Sequence, residues 1–573
     1  METIRSDVIV LGSGIAGLRA AIEIAKESNE TVSVTLISKV QVMRSHSVAP
    51  EGGAAAVMSE GDSFDRHAED TIIGGDYLND QDAVEEFVRE APNEIIQLEH
   101  WGMPWYRDEN GKAITRMFGA HTYPRTFFAY DRTGFFLMKT LYDTLLKYKN
   151  VEIYQETFAI DIINIDGKFG GVLALERTKG NMILFIAKAL ILATGGVGRM
   201  YPYSTYSHTV TGDGLAMAYR SGVTLRDMEF LQWLPTTLVP QGIPATEALR
   251  GHGAIMTNGD GERFMKKYAP DRMEMAPRDI VTRAMYKEVL EGRGVEGPRS
   301  MKCVLLDARP VGKDRLESIY KTFLENSRKF QGIDPISEPV PVFPAFHYSM
   351  GGIDITDPLK TTTNIDGIFA AGEAANEGLH GANRLGSNSL SSCLVTGKWS
   401  GRSAIDYIKK KVNSKDENAI INRAMKLEDD FYSLIRNENG NSNVYSIRKK
   451  LQNNMEKNVG VFRDEKSLKN AIVAINELKN ELSDIYVSDR SATYNLEWVN
   501  LQELKNMIDL SYVIAYSALS RKESRGSHYR IDYPNRDDIN FLVHTIAQKN
   551  GNDVKITTKP VRITKWKPGE RRY

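Results

Sequence analysis

Two glycine-rich segments carry side chains that can bind a small acid. Arg384 lies in residues 380–390 (HGANRLGSNSL) and His347 in residues 346–352 (FHYSMGG). An arginine holds a carboxylate through two parallel N–H bonds and a histidine adds one compact donor, so together they could bind one end of a diacid. Taken singly, a surface arginine and a capping histidine are the commoner uses of these residue types.

Arg278 and Thr246 each stand beside an acidic residue. Arg278 precedes Asp279, and a surface ion pair of little energetic worth is the simplest explanation for it. Thr246 precedes Glu247, and a threonine at the start of a helix commonly caps free backbone N–H groups. The local sequence therefore assigns neither residue to a site.

A glycine-rich loop near the N terminus predicts a dinucleotide site. Residues 12–17 (GSGIAG) follow a β-branched run and precede a segment with helical spacing. The first glycine permits a tight turn, the second lets backbone N–H groups approach a pyrophosphate, and the third lets helix and strand pack closely. About 20 residues further along, Ser38 and Lys39 occupy the place where this fold meets the ribose.

Further strands that end in glycine favour FAD over NAD. One predicted strand closes at residues 193–196 (ATGG), another closes at 372–373 (GE), and residues 211–214 (TGDG) open a predicted helix. An elongated FAD would use all of these strand ends, although each alone is also an ordinary turn. Residues 44–53 (RSHSVAPEGG) should then run beside the flavin, which suggests that His46 holds it covalently; a loop histidine is the simpler alternative.

Composition narrows the class of protein. The chain has 573 residues, 42% of them hydrophobic, and a formal net charge of −1, which suits a globular protein of two or three domains and gives no electrostatic case for nucleic acid. We recognise no secretory signal, and the most apolar stretch, 182–193, is shorter than the roughly 20 residues of a membrane span. Cys303 and Cys393 are too few for an iron–sulfur cluster, so we expect no metal site and two reduced, buried cysteines.

The hydrophobic pattern predicts an α/β fold. We expect an FAD-binding Rossmann-like domain with an inserted cap domain, followed by a C-terminal helical bundle and a short tail. The expected ranges are 1–235 and 347–415 for the two parts of the FAD-binding domain, 236–346 for the cap, 416–530 for the helical domain and 531–573 for the tail, which ends in basic residues. A small antiparallel insertion should turn at Asp166-Gly167, and the amphipathic stripes of the bundle should be core.

The motifs together resemble the flavoprotein subunits of succinate dehydrogenase and fumarate reductase. The resemblance covers about residues 5–565, with several independent motifs in the family's order. Its most specific segments are 43–53 (MRSHSVAPEGG), 227–236 (DMEFLQWLPT), 276–280, 347–352, 380–390 and 520–538 (SRKESRGSHYRIDYPNRDD).

The resemblance implies roles for these residues. His46 would bear FAD covalently, which raises the flavin potential for removing hydrogen from an unactivated bond of succinate. Arg278 would move the proton while the flavin exchanges the hydride, and a mobile cap would close over the dicarboxylate. His347 and Arg384 would bind one carboxylate, and Thr246 would belong to the site for the other. The matching FAD-contacting positions are Gly12, Ser13, Gly14, Ile15, Ala16, Gly17, Ser38, Lys39, Ser45, Gly53, Asp213, Glu373, Ser389 and Leu390.

One position departs from the family pattern. Leu234 stands where the family usually has a histidine just before Pro-Thr. A leucine cannot donate to a carboxylate, so Thr246 lacks its usual companion, at a cost of roughly 1.5 to 3 kcal/mol for a bond to a charged group. We hypothesise that Gln232 or His252 compensates, or that affinity is lower.

The implied activity is that of a succinate:quinone oxidoreductase of respiratory complex II and the tricarboxylic acid cycle. Electrons would pass to an iron–sulfur subunit, and membrane-anchor subunits would hold the complex at the cytoplasmic face of the cell membrane. An L-aspartate oxidase-like enzyme, which binds FAD without the His46 motif, is the nearest alternative. A flavin-binding assembly subunit without turnover is another alternative, and the leucine at position 234 is the observation that supports it. The sequence leaves the direction of the reaction, the quinone and the oligomeric state undetermined.

Overall fold

Short β-branched runs alternate with longer amphipathic segments, and the structure, a computed structural model, shows them as strands and helices. It describes residues 1–410, 416–436 and 440–571. The strands are β1 (Glu2–Arg5), β2 (Val8–Leu11), β3 (Val34–Ile37), β4 (Ala54–Ala55), β5 (Thr115–Arg116), β6 (Thr126–Phe127), β7 (Val151–Tyr154), β8 (Thr157–Ile165), β9 (Lys168–Glu176), β10 (Asn181–Ile186), β11 (Ala189–Leu192), β12 (Leu225–Arg226), β13 (Leu231–Leu238), β14 (Ile243–Pro244), β15 (Ile255–Thr257), β16 (Val295–Glu296), β17 (Lys302–Asp307), β18 (Val340–Ser349), β19 (Gly352–Asp354), β20 (Ile368–Ala370), β21 (Ala375–Asn376), β22 (Phe462–Arg463), β23 (Tyr529–Arg530), β24 (Val543–Asn550) and β25 (Asp553–Pro560). The α-helices are α1 (Ile15–Glu27), α2 (Phe64–Gly74), α3 (Gln81–His100), α4 (Thr133–Leu145), α5 (Asp213–Arg220), α6 (Glu247–Gly251), α7 (Met265–Tyr268), α8 (Arg278–Leu290), α9 (Lys313–Ile319), α10 (Lys321–Gln331), α11 (Asn388–Lys409), α12 (Glu417–Ile435), α13 (Val444–Asn458), α14 (Glu465–Glu481) and α15 (Leu496–Ser520).

The first βα unit lies in a five-stranded parallel sheet with the order β20-β11-β2-β3-β7. All four residues of β2 are buried, as expected where helices cover both faces of a parallel sheet. Helix α1 follows the glycine loop directly and packs against α11. Because the strands run parallel, the glycines that follow β2, β11 and β20 meet at one edge. The predicted α/β fold class is confirmed.

A second sheet has the strand order β1-β10-β9-β8. Its strands β8, β9 and β10 pair antiparallel, and the β8–β9 turn places Asp166 and Gly167 at φ values of 51° and 76°. Aspartate and glycine tolerate this left-handed region, which a tight hairpin turn requires. The predicted antiparallel insertion is confirmed, and the parallel addition of β1 to its edge was not predicted.

A third sheet carries Gln232 and Leu234 on β13 and His347 on β18. Its order is β14-β13-β18-β17-β15, with β16 also paired to β17. Together with α6 to α10 it encloses a hydrophobic core of its own, which the charged and helical composition of the predicted cap did not indicate. The predicted cap limits, after residues 235 and 346, fall within β13 and β18, which pair with each other. Both predicted limits of the cap therefore lie inside one continuous strand pair. The domain limits themselves stay a prediction.

Helices α12 to α15 form the C-terminal helical region. Leu468, Ile472, Ile475 and Leu478 of α14 are buried where α14 packs between α13 and α15, so the predicted core stripe is confirmed. The hairpin β24–β25 then joins β12, β19 and β21 in one sheet, which anchors the predicted tail. Of its basic end only Arg571 lies within the described residues. In those same ranges no helix is long and apolar enough to cross a membrane.

Candidate active site

A cavity of about 1000 Å³ opens at the edge where β2, β11 and β20 end, and we call it the dinucleotide cavity. The predicted FAD-contacting positions that line it are Gly12, Ser13, Gly14, Ile15, Ala16, Ser38, Lys39, Ser45, Asp213 and Glu373. Gly17 lies behind the loop, where a Cβ would stand 1.9 Å from the Gly12 carbonyl oxygen, so its role is close packing.

The glycine loop leaves no room for side chains. At Gly12, whose φ is +112°, a Cβ would lie 2.2 Å from the Ala193 carbonyl oxygen, and at Gly14 it would lie 2.9 Å from Ser47 Oγ. Gly14, the N-cap of α1, has no side chain to satisfy the first N–H groups of the helix. Ser47 Oγ accepts from one of them, that of Ile15, at 3.3 Å, and this helix start is a place for a pyrophosphate. Thr194 Oγ1 also lines the cavity, buried and without a partner among the described residues. These features fit a bound FAD.

Ser38 and Lys39 are held by other residues of the wall. Ser38 Oγ lies 2.6 Å from Ser13 Oγ, and Lys39 Nζ lies 2.7 Å from Asp213 and 2.5 Å from Glu503. Burial lowers the pKa of Lys39, but the two carboxylates outweigh it and raise that pKa above its ordinary value. Lys39 therefore organises the wall and offers no uncompensated charge.

His46 begins a short 3-10 turn, His46–Val48, that borders two cavities. Its ring stacks on Tyr206 with 4.6 Å between centroids, and Nδ1 accepts a hydrogen bond of 3.3 Å from the Ser207 backbone N–H. Burial, assisted by Arg199, lowers the pKa of His46 to about 4, so the ring is neutral at pH 7. A neutral ring that accepts at Nδ1 carries its proton at Nε2, which has no hydrogen-bond partner in the described parts of the chain.

A second cavity of about 860 Å³ adjoins the first and contains two arginines, so we call it the arginine cavity. His46, Ser47, Glu373 and Cys393 are among the residues that line both cavities. The predicted site residues in the arginine cavity are Gly53, Thr246, Arg278, His347, Arg384, Ser389 and Leu390. The fold therefore brings together all the residues predicted to bind or transform a substrate.

Arg278 is buried, with 6% of its surface exposed, so the expected surface ion pair is wrong. Its neighbour Asp279 is also buried and pairs with Arg283 and Arg571, at 3.0 and 3.2 Å. The sequence placed an acid next to Arg278, but consecutive residues at a helix start point in different directions, and the two side chains find different partners.

The partner of Arg278 is Glu247. Nε and Nη2 of Arg278 both lie 2.7 Å from one Glu247 oxygen, and Nη1 donates to Gln232 Oε1 at 3.0 Å. The other Glu247 oxygen accepts from the Gly119 backbone N–H at 2.9 Å. Burial raises the pKa of Glu247, but Arg278 and Arg250 outweigh it and hold that pKa below its usual range. The pair is therefore ionised and fixed in orientation.

Arg384 is a buried cation without a counter-ion. It stacks on the Tyr348 ring, with 4.4 Å from Cζ to the centroid, and its one hydrogen bond, to the Leu385 carbonyl, is long at 3.4 Å. Its Nε is buried without a partner, and no carboxylate within the described ranges reaches salt-bridge distance. Burial, with Arg278 nearby, lowers the pKa of Arg384 to about 10, which leaves it charged at pH 7. Such a group favours an anionic ligand.

His347 lies on β18 where the register with β13 shifts. Its Nδ1 lies 2.8 Å from Thr205 Oγ1. Burial, and then the charges of Arg278 and Arg384, hold the pKa of His347 well below its ordinary value. The ring is therefore neutral, and when the Thr205 hydroxyl donates to Nδ1 the N–H at Nε2 is a donor for a ligand.

Thr246 and Leu234 lie on neighbouring segments of the wall, because Thr236 and Ala245 exchange hydrogen bonds of 2.8 and 2.9 Å. Thr246 precedes α6, but its hydroxyl makes no capping bond, so the capping explanation is wrong. Leu234, Phe118 and Pro244 are apolar residues of the cavity lining.

Neither residue proposed to compensate for Leu234 lines the arginine cavity. The Gln232 amide donates to Asn383 Oδ1 at 2.9 Å and to the Arg384 carbonyl at 2.8 Å, while its oxygen accepts from Arg278. The His252 ring is bound to the Tyr320 hydroxyl at 2.7 Å. Gln232 therefore positions the two arginines, and the Leu234 wall stays apolar.

Three residues that line these cavities, Glu247, Tyr206 and Cys393, were not predicted to do so. Glu247 directly follows Thr246, and this adjacency was the one available signal. Tyr206 donates to Glu373 and stacks on His46, and nothing in its spacing indicated that contact. Burial raises the pKa of Glu373 to about 7. Cys393, expected to be buried, is half-buried and lines both cavities, whereas Cys303 is buried as expected.

Comparison with known proteins matches the whole chain. A family model described as FAD binding domain matches residues 7–390, and one described as fumarate reductase flavoprotein C-term matches residues 448–573. The fumarate reductase flavoprotein subunit of Mycobacterium tuberculosis is 43% identical, over 100% of both chains. The succinate dehydrogenase flavoprotein subunit of Rickettsia conorii is 40% identical, over 97% of this chain and 95% of the relative. A solved structure of an Escherichia coli quinol fumarate reductase mutant superposes with a TM-score of 0.97 at 39% identity, over 100% of this chain and 99% of that chain.

The fold and the two adjoining cavities define an FAD-dependent oxidoreductase. The chain belongs to the family of flavoprotein subunits of fumarate reductase and succinate dehydrogenase. The resemblance that the motifs indicated is thereby confirmed.

Proposed function

We propose that this chain interconverts succinate and fumarate as the flavoprotein subunit of a succinate:quinone oxidoreductase. The observation that carries this proposal is the arginine cavity, where Arg384 and the Arg278–Glu247 pair lie beside the dinucleotide cavity. Bound FAD would accept or supply the hydride. The glycine loop, Ser38, Ser45 and Glu373 would hold it, with Ser389 and Leu390 at the arginine-cavity side.

Arg384 and His347 would bind one carboxylate of the substrate. Arg384 already bears the cost of burial without a counter-ion, so a carboxylate gains a charge-assisted bond there without displacing a protein partner. The neutral His347 adds an N–H donor. Thr246 offers a hydroxyl to the other end of the substrate.

Arg278 would move the proton. In the direction of reduction it gives a proton to a substrate carbon and recovers one through Glu247, and in oxidation the proton returns by the same path. Gln232 fixes the guanidinium through Nη1, which keeps its donors directed. Arg250, 3.7 Å from Glu247 and with two buried nitrogens that lack hydrogen bonds among the described residues, continues this path away from the cavity.

His46 would hold FAD covalently through Nε2. This nitrogen is unpartnered, the ring is neutral, and the residue borders both cavities. Tryptic digestion and mass spectrometry of freshly purified, fully assembled enzyme should find the flavin mass on the His46 peptide and none in an H46S variant. A wild-type His46 peptide without flavin would contradict the covalent bond.

The proposed partners are an iron–sulfur subunit, which takes the electrons, and membrane-anchor subunits at the cytoplasmic face of the cell membrane. The chain's two cysteines cannot ligate a cluster, and the similar Escherichia coli protein is a quinol fumarate reductase. Affinity purification of the tagged chain from native membranes should recover iron and acid-labile sulfide with it. Recovery of flavin alone from gently solubilised membranes would contradict these partners.

The activity is tested with artificial electron carriers on flavin-loaded enzyme. Succinate oxidation by an electron-accepting dye, and fumarate reduction by reduced viologen, should both be measurable, whereas L-aspartate should not be oxidised. Oxidation of aspartate in place of succinate would favour an aspartate oxidase. Full flavin occupancy without any turnover would favour an assembly subunit.

A further inference from the structure

The arginine cavity contains one positive charge that the protein leaves without a counter-ion. Arg278 pairs with Glu247 at 2.7 Å, on an oxygen that Arg250 also approaches at 3.7 Å, whereas Arg384 has no carboxylate within 4 Å in the described ranges. Two more carboxyls line the cavity, Glu51 and Glu373. Burial raises the pKa of Glu51 well above its ordinary value and that of Glu373 to about 7, which favours the uncharged form of each. Among the residues that line the cavity, Arg384 therefore offers one uncompensated charge to a carboxylate.

The wall beside Thr246 is suited to an uncharged group. Leu234 lies near Thr246, and Leu234 and Phe118, which are 3% and 2% exposed, are apolar residues of the cavity lining together with Pro244. The Gln232 amide and the His252 imidazole do not line the cavity, and both are bound to other residues. An ionised carboxylate against Leu234 would lose its water without gaining a donor from that side chain, whereas a methyl group has no hydrogen bond to water to lose and an uncharged ester loses far less than a carboxylate.

We propose that this site takes a 2-enoate with a single carboxylate, whose uncharged end lies against Leu234, at least as readily as it takes fumarate. This inference rests on the proposed function and names its substrate class. In the reaction the C2=C3 π bond breaks and two C–H bonds form. C3 receives a hydride from the reduced flavin, which an external electron donor has reduced, and C2 receives a proton from Arg278. Leu234 is the residue that sets the specificity.

Monomethyl fumarate is a suitable probe, because it keeps both carbonyl groups of fumarate but carries one charge. Neither compound can be reduced by oxidised flavin, so equilibrium binding to the oxidised enzyme is measurable by flavin absorbance and by calorimetry without turnover. We expect monomethyl fumarate to bind wild type as tightly as fumarate or more tightly. A dissociation constant for fumarate at least tenfold lower than that for monomethyl fumarate would overturn the inference.

Variants at the wall test the residue itself. L234H and L234Q add a donor, and each should improve fumarate relative to monomethyl fumarate by about 10- to 100-fold, in both the ratio of dissociation constants and the ratio of kcat/KM. L234M keeps the wall apolar and should keep both ratios within about threefold, the usual tolerance of such swaps. Flavin content and Tm identify a variant that fails to fold. If either L234H or L234Q fails, the two ratios measured for the other one provide the test. Unchanged ratios in folded L234H and L234Q would overturn the role of Leu234.

The two proposals fail in different ways. If the enzyme reduces fumarate but binds and reduces monomethyl fumarate at least tenfold more weakly, the proposed function stands and this inference falls. If flavin-loaded enzyme turns over neither compound but binds monomethyl fumarate in preference to fumarate, the proposed function falls and the charge argument stands.

Discussion

The two cavities differ in how their positively charged side chains are paired. In the dinucleotide cavity Lys39 is neutralised by Asp213 and Glu503, and the glycine loop presents backbone in place of charged side chains. In the arginine cavity Arg384 is left without a counter-ion among the described residues, and the apolar Leu234 lines the same cavity. A cofactor that stays bound can be held by shape and many weak contacts, whereas a ligand that exchanges every turnover needs a strong, uncompensated anchor.

Replacing Arg278 tests the chemistry of the arginine cavity with the largest expected effect. R278Q keeps a planar amide but removes the ionisable proton donor, so succinate oxidation and fumarate reduction should fall by about 10²- to 10⁴-fold. The measurement is the rate with artificial electron carriers at equal flavin content. R278K, which keeps the charge, should retain more activity than R278Q. If R278Q keeps more than about a tenth of wild-type activity, Arg278 does not carry the proton.

Breaking the buried ion pair separates structure from function in the same cavity. E247Q leaves Arg278 uncompensated, which should lower the free energy of unfolding by about 3 kcal/mol and slow turnover. D279N breaks a comparable buried pair, with Arg283 and Arg571, outside the cavity. Urea unfolding should show similar losses for the two variants, while turnover per flavin should fall only in E247Q. An equal loss of turnover in both would reduce Glu247 to a structural role.

A glycine replacement tests whether shape holds the cofactor. G12A forces a Cβ within 2.2 Å of the Ala193 carbonyl oxygen and should abolish stable FAD binding. Gly222 also has a positive φ, +96°, but a Cβ there meets nothing within 4 Å, so G222A carries the backbone strain alone, about 1 to 3 kcal/mol. Flavin content after gel filtration should fall only in G12A. Normal flavin content in G12A would show that the close approach is not required.

The smallest expected effect concerns Glu373, which both cavities share. Burial raises the pKa of Glu373 to about 7 from an ordinary 4.5, so between these pH values the folded chain binds a proton that the unfolded chain releases. This contribution to stability is complete below pH 4.5 and is lost as the pH rises through 7. Relative to E373Q, flavin-free wild type should therefore lose about 1 to 3 kcal/mol between pH 4.5 and 8. Parallel urea-unfolding profiles for the two proteins would contradict the raised pKa.

Local signals account for most of what the sequence predicted correctly. The β-branched run and GSGIAG loop define β2 and α1, and the Asp166-Gly167 turn defines the β8–β9 hairpin, because strand, turn and helix preferences act over a few residues. The stripe of α14 was equally clear, since a helix must bury one face. The mixed helix and sheet of the cap was not predicted, because its strand pairing joins residues far apart in sequence.

The sequence by itself determined the dinucleotide loop, the family and the set of His46, Thr246, Arg278, His347 and Arg384, because residue types in an ordered set of motifs need no coordinates. The tertiary structure decided how those residues are paired. In the structure Arg278 pairs with Glu247 and not with its neighbour Asp279, and Arg384 has no counter-ion among the described residues. Leu234 and Thr246 line the same cavity. Such pairing depends on burial and on distances between segments more than 30 residues apart in the chain, where the low dielectric makes each missing or added charge decisive.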